Sequence, residues 1–413
     1  MSAVLVAAGA LVSVPLHTVT VLAGTVHHVP AQVGAAQASA ARAVPGVSGC
    51  RADGRLEVCF SSPPTQGRRD GAVIDGLRDL FRAAGEGDTL LIGMFRWDIA
   101  VAADDLLAAQ RRGARVEVVA DRDVKENRVG RRLLRKVERR DQQRDNVVVC
   151  RGACLPWTGK GPAPSAQDVN HLKLVIADID GERSVTTTSS NLAQRQYRQY
   201  NSLLRVTGDR LHAFHLEYWK RLRKQSLRAD GVTWRNDDKV HGGPPRSYVY
   251  PRRGDLVLST LRKVRCRPGM RQVDVMVAVI QRYDVRRELG LLHRRGCRVR
   301  VVVDRELIEN WLQTRVRLAD GSHVDLPNTR VRTVSNHDKA ISIHARIGGR
   351  ERWVVVTGTS NTTCGGLLYN DEVMLRLDGR WLHRQYSAHF ADAYSRAHQS
   401  ARPRQVPTQK HCR

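Results

Sequence analysis

The chain has 413 residues and a formal net charge of +27, from 68 Lys and Arg against 41 Asp and Glu. A hydrophobic share of 41% beside 26% charged residues excludes wholesale disorder. Beyond residue 50 no apolar run reaches the roughly 18–20 residues of a membrane span; so large a cationic excess points to a polyanionic partner, nucleic acid or anionic lipid, and names no reaction.

Residues 2–26 are apolar and contain no Lys or Arg, and Ala38-Ser39-Ala40 supplies a small-x-small cleavage site. Pro15 and Pro30 would break a buried helix there. Residues 1–40 are expected to be a secretory signal peptide cleaved near Ala40. The first cation of the chain is Arg42, so an uncleaved anchor is the alternative. Residues 41–64 are read as an N-terminal extension. The eight cysteines (Cys50, Cys59, Cys150, Cys154, Cys266, Cys297, Cys364 and Cys412) all follow the leader. In an exported protein this even set implies disulfides rather than zinc ligands. Cys50/Cys59 and Cys150/Cys154 are natural local pairs, with the connectivity left open.

The predicted elements alternate. Thr89–Phe95 reads as a buried strand, followed by a helix through Leu106, Leu107 and Ala109 that Gly113 stops. Strands follow at Arg115–Ala120, Val147–Val149, His171–Asp178, Val185–Thr188 and Asn201–Val206, and a helix at Leu211–Lys224 closes the segment. After a charged Gly/Pro joint from Asp237 to Arg253 the order recurs. Its strands are Val273–Val279, Arg298–Val303, Arg330–Val334, Lys339–Ile343, Arg352–Thr357 and Glu372–Leu377.

The recurrence is also one of sequence. Arg111-Arg112-Gly113 through Asp121 matches Arg294-Arg295-Gly296 through Asp304 at most positions. Arg96-Trp97-Asp98 is aligned with Arg282-Tyr283-Asp284, Tyr200-Asn201 with Tyr369-Asn370, and Leu211-His212 with Leu382-His383. Two homologous halves are expected, residues 65–235 and 250–400, with a tail at 401–413. Alternating β and α segments predict an α/β fold, each half a sheet covered by helices on both faces, and a monomer that is an internal pseudo-dimer.

Each half carries one chemical constellation. His171-Leu-Lys173 is followed by Thr188-Ser189-Ser190-Asn191, and His337-Asp-Lys339 by Gly358-Thr359-Ser360-Asn361. Residues two apart on a strand share a face. An imidazole beside an ammonium repels a metal ion and suits an anion: Lys binds a phosphate oxygen, and His attacks phosphorus or moves protons. The turns, with Ser189 and Thr359, add hydroxyl, amide and backbone N–H donors. Phosphoryl transfer through a covalent intermediate needs a nucleophile and an acid on opposite sides of phosphorus, and two facing motifs supply that pair.

With its His-x-Lys motif present twice, each copy followed by a small-residue turn ending in Asn, the chain resembles the phospholipase D superfamily over residues 65–400. The resemblance implies a pseudo-twofold fold of two α/β/α halves with mixed sheets and metal-independent phosphodiester chemistry without a cofactor. It makes His171 the nucleophile that forms a phosphohistidine and His337 the acid, with Lys173, Lys339, Asn191 and Asn361 on the phosphoryl oxygens. Three departures stand out. The motif Asp178 is replaced in the second half by His344. The segment after Asp178 is three residues longer than the family pattern, implying a wider hairpin at Asp180-Gly181. The family's acidic partner of the His is present as Glu372, whereas the first half is aligned there on Leu203. His171 is therefore expected to lack a carboxylate, which leaves the order of nucleophile and acid open.

Three further features bear on substrate. The segment Arg122 to Arg144 carries ten Lys and Arg against four Asp and Glu, with Val129, Leu133, Leu134 and Val137 at helical spacing. It reads as a basic helix for anionic lipid or a nucleic-acid backbone, or as a solvated amphipathic helix packed on its own half. Trp97 and Tyr283 are candidate residues of a pocket mouth, with core packing the competing reading, and the loop Pro156 to Pro162 around Trp157 is a candidate lipid contact. A secreted phospholipase D acting on phospholipid, by hydrolysis or headgroup exchange, leads; a secreted nuclease of the same superfamily is the alternative, and a non-enzymatic anion-binding protein the third reading.

Overall fold

A computed structural model describes residues 48–63, 68–140, 146–155, 168–224, 245–252, 254–305, 316–317, 323–324, 330–399 and 412. The expected signal peptide, the Trp157 loop and residues 141–144 of the basic segment lie outside them. The described residues belong to one compact unit, Ala43–Arg413.

The first half runs β1 (Gly49–Asp53), β2 (Leu56–Ser61), α1 (Ala72–Ala83), β3 (Thr89–Met94), α2 (Ala100–Arg111), β4 (Arg115–Asp121), α3 (Arg128–Arg140), β5 (Val147–Cys150), β6 (Lys173–Ile179), β7 (Glu182–Thr188), β8 (Asn201–Thr207) and α4 (Asp209–Lys224). The second runs β9 (Arg246–Tyr250), α5 (Leu256–Arg262), β10 (Val264–Arg265), β11 (Arg271–Val277), α6 (Tyr283–Arg294) and β12 (Arg298–Asp304). After the short strands β13 (Val316–Arg317) and β14 (His323–Val324) come β15 (Val331–Val334), β16 (Lys339–Ile347), β17 (Arg350–Gly358), β18 (Glu372–Asp378), α7 (Arg380–Arg396) and β19 (His398–Gln399).

The two sheets have one plan. The first is ordered β1-β2-β8-β7-β6-β3-β4-β5 and the second β19-β15-β12-β11-β16-β17-β18-β9, with β10 beside β16. In both, a parallel trio joins an antiparallel meander, so each sheet is mixed. The parallel strands β4 and β12 are apolar runs because helices cover both faces. On one face Leu77, Phe81, Leu106 and Leu133 pack under α1, α2 and α3. On the other, Leu174, Ile176 and Trp219 of the first half share a core with Val355, Leu375 and Tyr386 of the second.

All eight cysteines pair: Cys50–Cys59, Cys150–Cys154, Cys266–Cys297 and Cys364–Cys412. Thiols held in disulfides are not available as thiolate ligands. Among the described residues no helix is long and apolar enough to cross a membrane.

The structure departs from the sequence reading in three places. The segment 41–64 contributes β1 and β2 to the first sheet, and β9 enters the second sheet ahead of the expected boundary at 250. The hairpin at Asp180-Gly181 is a tight two-residue turn, with both residues at positive φ (51° and 76°), and the extra length goes into its strands. The repeat register is also corrected. Trp97 bridges Leu192 and Ile280 bridges Thr362, each just after a motif Asn, so the counterpart of Trp97 is Ile280 and not Tyr283. Thr188 lies opposite Leu203 and Gly358 opposite Met374. The counterpart of Glu372 is therefore Asn201, the first residue of β8, and not Leu203.

Candidate active site

The motif strands β6 and β16 occupy matching places beside β3 and β11, with Lys173 opposite Met94 and Lys339 opposite Val277. What precedes each strand is fixed by a carboxylate at the end of the neighbouring parallel trio. Asp121 accepts from the Asn170 backbone N–H at 2.9 Å, and Asp304 from that of Asn336 at 3.0 Å. Each Asn then turns its own amide oxygen to the second residue on, Leu172 or Asp338. The motif is thus Asn-His-x-Lys, aimed by a buried Asp, in both halves. The sequence carried this signal: the same Asn precedes both histidines, and the same Asp closes the repeat. Burial pushes the Asp121 carboxyl up to about 6, against the N–H donors of Asp123 and Asn170.

The halves meet where these segments lead into their strands. Asn170 bridges Asp371, and Tyr200 bridges Asn336. The consequence is a crossed pairing. Glu372, from the second half, lies with Oε1 2.8 Å from Nδ1 of His171 in the first. A carboxylate only accepts, so Nδ1 carries the proton and Nε2 keeps its lone pair. The other oxygen of Glu372 accepts from the Thr359 hydroxyl. His171 therefore has the carboxylate it was expected to lack.

His337 is the histidine without one. Its Nδ1 donates to the main-chain carbonyl of Ser189 at 2.8 Å. Asn201, which stands where Glu372 stands in the other half, is turned away: its Oδ1 accepts from Ser189 Oγ at 3.2 Å and its Nδ2 donates to the carbonyls of Gln196 and Gln199. The side chains of Ser189 and Thr359, expected to contact substrate, instead hold Asn201 and Glu372. Both are short turn hydroxyls facing the adjacent strand, where the nearest acceptor is the first residue of β8 or β18.

Lys173 and Lys339 are almost fully buried, and each ammonium donates to the carbonyl of the His two residues before it. Burial, with Lys339 adding repulsion, holds the Lys173 ammonium well below the ordinary lysine range, while Glu372 opposes the shift. Burial pushes Lys339 down to about 8, opposed by Asp338 and Glu372. His171 is pushed down to about 4 by burial and by Lys173, against Glu372, and His337 lies well below an ordinary imidazole through burial and both lysines. The cluster is short of negative charge, which a bound phosphodiester anion would supply. Asn191 and Asn361 each keep a buried Oδ1 without a hydrogen-bond partner.

Of the aromatic candidates, Trp97 is core: fully buried, stacked on Phe81 and donating to the Ile99 carbonyl. Phe95 and Trp97 both lie beyond the end of β3, where strand alternation no longer applies; Trp97 bridges Leu192 and its ring stacks on Phe81 of α1, which counting along the strand does not report. Phe95 takes the place expected of it, 4.9 Å from the His171 ring and 5.4 Å from the Lys173 ammonium. Its counterpart is Ala278, so among the described residues this aromatic position is filled in the first half alone. Tyr283 opens α6, half-buried. Asp178 and His344 sit away from the site, on Arg183 and on Glu351 with Trp353, so the Asp-to-His change falls at a structural position.

Two α/β halves thus bring two Asn-His-x-Lys strands and two Ser-Asn turns to one seam, a single site built from both copies. Residues 267–394 match the family model described as the cardiolipin synthase, phospholipase D-like domain. No curated protein sequence matches the chain. Among solved structures, phosphatidylserine synthase from Haemophilus influenzae is 12% identical with a TM-score of 0.54, over 86% of this chain and 89% of that one. A polyphosphate kinase from Porphyromonas gingivalis is 13% identical with a TM-score of 0.50, over 81% of this chain; the match spans 50% of the kinase. The phospholipase D family member Nuc from Salmonella typhimurium is 16% identical over 41% of this chain and 94% of that one, with a TM-score of 0.30. At these identities the likenesses are of fold. The family match covers the second half, residues 267–394, and the likeness to the phosphatidylserine synthase structure extends the shared fold over both halves.

Proposed function

We propose that this protein is an exported phospholipase D that cleaves phospholipid headgroups through a phosphohistidine on His171. The observation that carries the assignment is the 2.8 Å pairing of His171 with Glu372, set against the carbonyl partner of His337. A carboxylate behind Nδ1 raises the basicity of Nε2 and stabilises the positive charge of a phosphorylated ring. His171 Nε2 attacks phosphorus, and the bond from phosphorus to the headgroup oxygen breaks. That oxygen takes the proton from Nε2 of protonated His337. Water, or an acceptor alcohol, then gives its proton back to His337 and attacks phosphorus, and the phosphorus–nitrogen bond breaks. Lys173, Lys339, Asn191 and Asn361 contact the non-bridging oxygens. These steps use no group beyond the chain's own residues and water.

An anionic lipid surface as partner is supported by α3. Its apolar side, Leu133, Leu134 and Val137, is buried, and a shallow cavity of about 330 Å³ on it is lined by Arg128, Val129, Arg131, Arg132 and Arg135. The basic run starts close to the site: Arg96, paired with Asp123 at 2.9 Å, lies over the Phe95 ring. Export is supported by the apolar leader and four disulfides.

A second reading, a nuclease, draws on one observation. Val101 is the one exposed large hydrophobic residue among those described, so the described surface offers little to insert into a bilayer, whereas arginines alone suffice for a phosphate backbone. One preparation assayed in chelator on phosphatidylcholine vesicles, with and without anionic lipid, and on plasmid DNA separates them. Choline release without DNA cleavage is the expected result, and the reverse assigns the nuclease.

A further inference from the structure

The loop Cys150–Leu155 reaches across the seam to Asp371, the residue before Glu372. Asp371 is fully buried, and its carboxylate accepts from the backbone N–H of Cys154 and from that of Leu155, the latter at 3.1 Å. Its own N–H donates to the Val169 carbonyl at 3.1 Å, two residues before His171. The counterpart of Asp371 in the first half is Tyr200, so this grip exists once. The loop is held at both ends. Cys150 ends β5, opposite Asp121, the carboxylate that aims Asn170. The Cys150–Cys154 disulfide brings the chain back over four residues, both sulfurs buried. Two N–H groups aimed at one carboxylate from a loop closed by a disulfide four residues apart make a small anion cradle, and its shape depends on the closure.

We infer that Asp371 is a positioning residue and that oxidation of Cys150 and Cys154 completes the active site. In the reduced chain the Cys154 and Leu155 N–H groups are no longer held together over Asp371. The β18 start that carries Glu372 then loses its anchor, and His171 its carboxylate. Closure removes two electrons and two protons from the thiols and passes them to a disulfide oxidant, which leaves as two thiols; oxidised glutathione serves in the test. The protein would be weakly active in a reducing compartment and gain activity on oxidation. This rests on the reading of His171 as nucleophile.

The test compares wild type, Cys150→Ser/Cys154→Ser, Asp371→Asn and, as control, Cys50→Ser/Cys59→Ser. Two readouts are taken: steady-state kinetics on the diester that wild type cleaves, and the NMR signal of the His171 Nδ1 proton, assigned with Glu372→Gln. Both site variants are expected to lose the downfield Nδ1 proton and at least about tenfold in kcat, with KM within about twofold and a shifted acid limb of the pH profile. The control should keep wild-type values. Refolding reduced wild type with oxidised glutathione should restore activity, and the Cys150→Ser/Cys154→Ser protein should gain none. An unchanged Nδ1 signal in both site variants, or kcat within twofold of wild type in both, overturns the inference. If the Cys double variant fails to fold, the isosteric Asp371→Asn decides alone. A wild type that loses its Nδ1 signal on reduction yet cleaves no diester leaves the grip standing and rejects the function on which its catalytic meaning rests.

Discussion

Glu372 and His171 are 201 residues apart, belong to different halves, and lie 2.8 Å from each other. That pairing predicts a specific loss. Glu372→Gln keeps the shape and removes the charge, so kcat should fall about 10²–10⁴-fold with KM little changed. The His171 imidazole should also titrate lower still than in wild type, because Glu372 is the group that opposes its downward shift. Steady-state kinetics and histidine NMR check both.

The unequal partners of the two histidines predict unequal phenotypes. A phosphoenzyme should be trapped with His337→Ala and not with His171→Ala. His337→Ala should also recover activity toward diesters with acidic leaving groups such as p-nitrophenol, which depart without a proton. Label retained in His171→Ala and lost in His337→Ala would reverse the assignment.

The arginines of α3 predict salt-sensitive binding. Each cation near an anionic bilayer contributes about 1 kcal/mol, so Arg128→Ala/Arg131→Ala/Arg135→Ala should weaken binding to anionic vesicles about 10²-fold. The difference should shrink in high salt, and cleavage of a small soluble diester should be unaffected. Vesicle co-sedimentation at two ionic strengths measures it.

Acid should destabilise the fold. Burial lowers His171 and His383 to about 4 and His215 to about 3, below their unfolded value of 6.5. Between pH 6.5 and about 4 the unfolded chain therefore binds more protons, and stability falls as pH falls. Asp121, raised to about 6, works in the opposite direction and offsets part of the loss. Unfolding free energies from urea titrations at pH 7 and pH 5 should differ by on the order of 3 kcal/mol, and His383→Gln should reduce that difference.

The succession of strands and helices from Thr89 onward and both motifs were legible because period and repetition report them directly. Lys173 and Lys339 open strands whose alternation is plain, and Asp121 and Asp304 end a repeated run. Long-range pairing was not legible. Leu203 and Glu372 align by counting, yet strand register makes Asn201 the counterpart of Glu372, and no local signal reports an offset in a loop. The crossing of Glu372 onto His171 depends on how the strand starts of the two sheets meet, which neither half encodes alone. Trp97 and Phe95 both follow the end of β3, and only the bridge from Trp97 to Leu192, nearly a hundred residues on, separates the core ring from the one beside His171. Asp371 carries no motif at all; its role comes from two backbone N–H groups on a loop more than two hundred residues earlier.

Asn201 and Glu372 hold equivalent places with unlike side chains. In an assembly of two identical subunits, one gene sets both places, and any gain for one histidine is imposed on the other. Joining the copies into a single polypeptide lifts that constraint. Natural selection is then free to give one imidazole an anionic neighbour and the other a neutral one, and so to turn two equal half-sites into a donor and an acceptor with separate duties.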